Sequence, residues 1–125
     1  MKITTFNPII ITEKADEAIA LFEALGFERK HKKTGINDAD ITSVRMKDEN
    51  GFHVDVTKVE KMPRDLTAIR MNVDNFDEAY EFLIARGFIN AQNGSVTNTG
   101  SAKACLLFSP SGFSINLIQH IKNHD

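Results

Sequence analysis

The chain is short of the features that would tie it to an oxidising compartment, a membrane or a nucleic acid. It has a single cysteine, Cys105, so no disulfide can form within it. That residue sits in Ala104-Cys105-Leu106-Leu107-Phe108 with no histidine near it in sequence, which points to a small buried hydrophobe and not to a nucleophile. No apolar run approaches the roughly 18 residues of a membrane span. The opening Met1-Lys2-Ile3-Thr4-Thr5-Phe6 lacks the apolar core and cleavage site of a secretory signal, so a cytoplasmic location is expected. Fifteen basic residues against seventeen acidic ones leave a formal charge of −2, which excludes the basic field that nucleic acid requires. The one basic run, Arg29-Lys30-His31-Lys32-Lys33, reads as a solvated strand edge.

What is present is a repeat. Adding 61 to a residue number in the first half lands on a like residue in the second: Asp16-Glu17-Ala18 on Asp77-Glu78-Ala79, Gly26-Phe27 on Gly87-Phe88, Gly51-Phe52 on Gly112-Phe113. One supersecondary unit is therefore used twice, as module 1 over about residues 1–60 and module 2 over about 66–121. With 125 residues, 42% hydrophobic and 26% charged, the chain has about one domain's worth of material. Either half alone would be marginal, so the copies are expected to share a core within the chain or between chains.

Residues 2–12 are rich in β-branched types and read as a strand, with Pro8 withholding one ladder donor. Ala15, Ala18, Ile19, Phe22 and Leu25 then recur at helical spacing, and Gly26 supplies the left-handed stop. In the second half Asn75 is the expected N-cap, with Glu78 completing a capping-box pattern and Ala79, Tyr80, Leu83 and Ile84 forming the apolar face before Gly87. Further strands are expected at 27–33, 40–47 and 52–59, and again at 88–97, 102–108 and 113–119. Asp48-Glu49-Asn50-Gly51 and Ser109-Pro110-Ser111-Gly112 are hairpin turns. Thr34-Gly35-Ile36-Asn37-Asp38 and Asn98-Thr99-Gly100 are looser connections, and residues 60–65 bridge the copies.

The order β-α-β-β-β, twice, predicts an α+β fold. One helix covers only one face of its strands, so the two βαβββ modules are expected to form a curved, partly open mixed sheet around a pocket.

Paired modules of this kind, an Asp-Glu-Ala helix ending in Leu-Gly-Phe or Arg-Gly-Phe, and the stretch Ser109-Pro110-Ser111-Gly112-Phe113-Ser114-Ile115-Asn116-Leu117 resemble the vicinal oxygen chelate superfamily, which contains glyoxalase I, bleomycin-resistance proteins and extradiol dioxygenases. The resemblance implies divalent-metal ligands, typically histidine, glutamine or glutamate, on the first and last strand of each module. Those positions hold Asn7, Asp55, Ala68 and Asn116 here. Only Asp55 is a strong donor, and a catalytic divalent ion generally needs about three. No metal or other cofactor is expected, and with it goes the Lewis acid of the superfamily's isomerase and dioxygenase chemistry.

Strand alternation lets the enclosed face be read directly. If Asp55 faces the pocket, so do His53 and Thr57, while Val54 and Val56 turn to the helix; likewise Ser114, Asn116 and Ile118 face in, and Ala68 brings Arg70 and Asn72 with it. Candidate ligand-binding residues are therefore Asn7, His53, Asp55, Arg70, Asn72 and Asn116, with Asp55 and Arg70 a possible charge pair. His53 with Asp55 could serve as a general base and its orienting carboxylate. Whether Arg45 or Met46 faces inward depends on a turn register that sequence leaves open. Phe6, Phe22, Phe27, Phe76, Phe82, Phe88 and Phe108 read as core or interface, Phe52 and Phe113 as pocket rims, and His31, His120 and His124 as residues without a role.

The reading is a small-molecule-binding protein of glyoxalase/bleomycin-resistance type lacking the usual metal ligands and working as a homodimer. Two others stand beside it: a glyoxalase-like lyase or isomerase, or a dioxygenase-related enzyme, with a non-standard or metal-free site using His53 and Asp55, and a protein-interaction or regulatory subunit.

Overall fold

The computed structural model describes residues 1–34 and 42–120, and side chains for these except 31–34. The connection expected at Thr34–Asp38 therefore falls largely outside the described residues, as does His124; the side chain of His31 falls outside as well. Among the described residues, nine strands and two helices follow the expected order, with the strand expected at 88–97 divided in two. They are β1 (Ile3–Thr12), α1 (Ala15–Ala24), β2 (Glu28–Thr34), β3 (Thr42–Lys47), β4 (His53–Lys58), β5 (Leu66–Val73), α2 (Phe76–Ala85), β6 (Ile89–Asn90), β7 (Thr97–Asn98), β8 (Ala102–Phe108) and β9 (Ser114–His120). The class is α+β, built from two βαβββ modules. Two compact units result, one of Asn7–Thr67 and one of Met1–Phe6 with Ala68–Asp125.

In the Asn7–Thr67 unit the strand order is β1-β4-β3-β2, with β1 parallel to β4 and the other pairs antiparallel. A parallel first-to-last pairing needs a crossover, and α1 with the β2–β3 excursion supplies it. Val44, Met46, Val54 and Val56 turn to α1 and pack with its buried Ala15 and Ile19. The helix begins without a side-chain cap on its first turn from Lys14, although Thr12 Oγ1 accepts from the Lys14 amide at 3.0 Å. It ends where Gly26 adopts φ 104°, letting the Phe27 amide reach back to the Phe22 carbonyl at 2.9 Å.

The second unit repeats this plan as β5-β9-β8-β6, with β5 parallel to β9 and β7 also on β8. Met71, Val73, Cys105, Leu107, Ile115 and Leu117 pack against Phe76, Ala79 and Leu83 of α2. Here the helix is capped, for Asn75 Oδ1 accepts from the Glu78 amide at 3.1 Å. At its end Gly87 takes φ 94°, and a Cβ there would stand 2.9 Å from Pro110 Cγ, so two constraints hold that position to glycine. The tie of Met1–Phe6 to this unit is polar: Lys2 and Asp74 exchange two hydrogen bonds, at 2.6 and 3.1 Å.

One expectation is corrected. Residues 88–97 do not form one strand; two dipeptide strands flank a turn in which Asn93 and Gly94 take φ 55° and 85°. The polar run Asn90-Ala91-Gln92-Asn93-Gly94 favours local bonds over a ladder: Asn90 Oδ1 accepts from the Gln92 amide at 2.7 Å, and Asn90 Nδ2 donates to the Ser95 carbonyl at 3.0 Å. The phenylalanines also divide. Phe76 is buried and Phe22, Phe27 and Phe88 are half-buried, whereas Phe6, Phe82 and Phe108 are exposed in this chain. Phe82 lies on the outer side of α2 with the Arg86 guanidinium 3.5 Å above its ring.

Candidate functional site

Because Val44, Met46, Val54 and Val56 are fixed toward α1, alternation puts Ser43, Arg45, Lys47, His53, Asp55 and Thr57 on the opposite sheet face. This resolves the register of the first hairpin in favour of Arg45. In the strand ladder Arg45 stands beside Asp55, Lys47 beside His53, Ser43 beside Thr57, and Ile9 of β1 beside Asp55 on its other flank.

Asp55 is the buried centre of this group, only 1% exposed. Its Oδ1 accepts from Asn7 Nδ2 at 3.1 Å and lies 3.4 Å from Arg45 Nη1, whose side chain is 22% exposed. A carboxylate removed from water is tolerated because a cation and an amide N–H meet it there. Thr57 Oγ1 donates to Ser43 Oγ at 3.1 Å, so a second polar pair lies one step along the same two strands.

Asn7 is turned by its partners. Its amide nitrogen donates to Asp55 and also to the Pro8 carbonyl at 2.8 Å; reversing the amide would aim oxygen at two acceptors. Asn7 Oδ1 is consequently left buried with no hydrogen-bond donor, an arrangement that costs about 1–3 kcal/mol.

In the second unit the same face carries Arg70 and Asn72 of β5, Ser114 and Asn116 of β9, and Ala104, Leu106 and Phe108 of β8. Arg70 Nε donates to Asn72 Oδ1 at 3.2 Å, and Asn116 is the ladder neighbour of Arg70. Ser114 Oγ is buried without a hydrogen-bond partner among the described residues.

The sequence candidates thus fall into two sets. Asn7, His53 and Asp55 share one face of the first unit, and Arg70, Asn72 and Asn116 share the matching face of the second. The ion-pair partner seen at Asp55 is Arg45, which the sequence reading had not assigned. Lys47 was also passed over, although strand parity places it wherever Arg45 goes. Cys105 lies fully buried against α2, and burial pushes its thiol above its ordinary value of 9.0.

The positions that the resemblance assigns to a divalent ion fit one poorly. In the first unit, Asp55 Oδ1 is already met by a guanidinium, and Asn7 presents to it nitrogen instead of oxygen. In the second, Ala68 has no donor and Asn116 only an amide. Among the described residues, no three histidine, cysteine, aspartate or glutamate side chains are grouped to hold a metal. No helix among them is long and apolar enough to cross a membrane.

No protein-family model and no curated protein matches the sequence. Solved structures do. A glyoxalase/bleomycin resistance protein/dioxygenase superfamily member from Vibrio splendidus 12B01 is similar at TM-score 0.62 and 16% identity, over 94% of this chain and 99% of that one. Methylmalonyl-CoA epimerase from Mycobacterium tuberculosis is similar at TM-score 0.69 and 14% identity, over 96% and 90% respectively. Glyoxalase I from Zea mays gives TM-score 0.69 at 11% identity over 98% of this chain, which spans 45% of the maize protein. At such identities the likeness establishes the fold, and the chemistry has to be argued from the residues.

Proposed function

On the premise that this chain has the vicinal oxygen chelate fold, we propose that it is a small-molecule-binding protein of glyoxalase/bleomycin-resistance type that holds no metal ion at Asn7, Asp55, Ala68 and Asn116. The observation that carries this reading is Asp55: an acid 1% exposed, on the sheet face turned from the helix, its charge met by Arg45 where a metal-using relative would place an ion. A desolvated ion pair contributes little net stability, so its place on this face favours a use in recognition. Asn7, His53 and Asp55 on the sheet face of one unit, and separately Arg70, Asn72 and Asn116 on that of the other, are proposed as ligand-contacting residues. We propose that the protein acts as a homodimer, which a light-scattering mass of two chains would support and a mass of one chain would refute.

The test is a thermal-shift screen of a metabolite library run with and without EDTA. A ligand that raises the Tm equally in both, and less in Asp55→Asn, is the expected result. Stabilisation that appears only after a divalent ion is added, and vanishes in Asp55→Asn, would overturn the proposal.

A second reading is a lyase or isomerase that uses His53 and Asp55 without a metal. It is favoured by their common strand face, about 7 Å apart along β4, and by the two donors that already orient the carboxylate. In that case Asp55→Asn abolishes turnover of the bound compound while its affinity is mostly kept.

A further inference from the structure

We infer that the β3–β4 face of the first unit is an oxyanion subsite, built from Arg45, Lys47 and His53, for a carboxylate- or phosphate-bearing ligand. The inference deepens the small-molecule reading and rests on it.

Strand parity brings these three residues together. Met46 and Val54 are committed to the α1 core, so Arg45, Lys47 and His53 all lie on the other face, with Lys47 directly across the ladder from His53 and Arg45 one step on, across from Asp55. Cross-strand neighbours on one face have Cβ atoms about 5 Å apart, a spacing that lets two side chains meet one oxyanion. The group also grades from wet to dry. Lys47 is exposed, His53 is intermediate, and Arg45 is mostly buried beside Asp55.

The charge balance favours an anion. Arg45 and Lys47 are permanent cations, His53 can add a third, and Asp55 is the only acid among the β3 and β4 residues on this face. On the neighbouring β2, Glu28 is the ladder partner of Lys47, but its carboxylate is bonded to Lys30 at 3.1 Å. Asp48 stands at the hairpin, where its Oδ1 accepts from the Asn50 and Phe52 amides at 3.0 and 2.8 Å. Asp55 offsets the charge of Arg45 and keeps it in place, so Lys47, joined by His53 when protonated, carries the net positive charge of these two strands on this face.

The duplicated unit is the internal control. At the offset of 61, Arg45, Lys47, His53 and Asp55 become Leu106, Phe108, Ser114 and Asn116, paired in the same register. Sheet geometry alone therefore does not require charge at these positions, and the first unit has it while the second does not.

The test is NMR titration of the 15N-labelled full chain with sodium phosphate, with sodium succinate and with sodium chloride at one ionic strength. Saturating amide shifts centred on Arg45, Lys47 and His53 with phosphate or succinate, absent with chloride, are expected. Whichever anion saturates first identifies the ligand's acid as phosphate or carboxylate. Lys47→Gln, at an exposed site that should not disturb folding, should weaken that binding about tenfold, and Arg86→Gln, whose guanidinium lies over Phe82 on α2, should not. Equal shifts with all three salts, no shifts, or full affinity in Lys47→Gln would overturn the inference. If the library screen still yields a metal-independent ligand in that event, the small-molecule reading survives and only the anionic subsite falls.

Discussion

In the Asn7–Thr67 unit Arg45 stands beside Asp55 and Lys47 beside His53; in its counterpart the same ladder rungs hold Leu106 with Asn116 and Phe108 with Ser114. The helix-facing sides of the two units tell the opposite story. Met46 and Leu107 occupy equivalent places, both fully buried, as do Val56 and Leu117. What the duplication kept alike is the side packed on the helix, and what it let diverge is the side turned away from it. On the helix-facing side packing constrains both volume and polarity, and the two units meet that demand alike.

This comparison can be broken at its strongest point first. Met46→Ala and Leu107→Ala should each cost about 2–5 kcal/mol in chemical denaturation, since both remove a fully buried side chain from a helix-backed core. A loss confined to one of them would mean that the two cores are not equivalent.

The opposite faces should respond unequally. Arg45→Met removes the guanidinium from the buried Asp55 and should cost about 3 kcal/mol, most of it recovered in the Arg45→Met/Asp55→Asn double variant. Leu106→Met, the same position in the other unit, should cost less than about 1.5 kcal/mol. Urea unfolding of the wild type, Arg45→Met, Asp55→Asn and the double variant measures the coupling. If the double variant is no more stable than Arg45→Met, the ion pair is not what the guanidinium contributes.

Helix entry offers a smaller contrast. Asn75 caps α2 through its side chain and Lys14, its equivalent at α1, does not, so Asn75→Ala should lower stability by about 1 kcal/mol and Lys14→Ala by almost nothing.

The smallest effect is in pH. Folded Cys105 ionises above its ordinary value because burial disfavours the thiolate, so the unfolded chain loses the proton first as pH rises. Its contribution to stability is complete below that value and declines once pH exceeds about 9.0; Cys105→Val, the residue type at the equivalent position 44, should flatten this part of the profile. An unchanged slope would assign it to other groups.

Much of this was legible in the residues. The offset of 61 located both helices, both glycine stops and the hairpins, because local chemistry at Gly26, Gly87 and Asn75 decides those features with little help from elsewhere. Alternation likewise separated Val54 and Val56 from Asp55. The first hairpin was not legible, because one residue of slip exchanges Arg45 and Met46 and nothing within Asp48–Gly51 states which register wins. The core decides it, by burying Met46 against α1. The 88–97 stretch departs from a single strand for a related reason: the side chains of Asn90 and Ser95 bond backbone within the stretch, which weakens a strand more than its β-branched residues strengthen it. Arg45 as partner of Asp55 needed the ladder itself, since ten residues separate them in sequence.

The central claim is that Arg45, and no divalent ion, answers the charge of Asp55. Equilibrium dialysis of the full chain against zinc and then nickel, followed by elemental analysis, tests it most directly. Far less than one ion per chain should be retained, with the same residual amount in Asp55→Asn. One tightly held ion per chain that disappears in Asp55→Asn would contradict the claim.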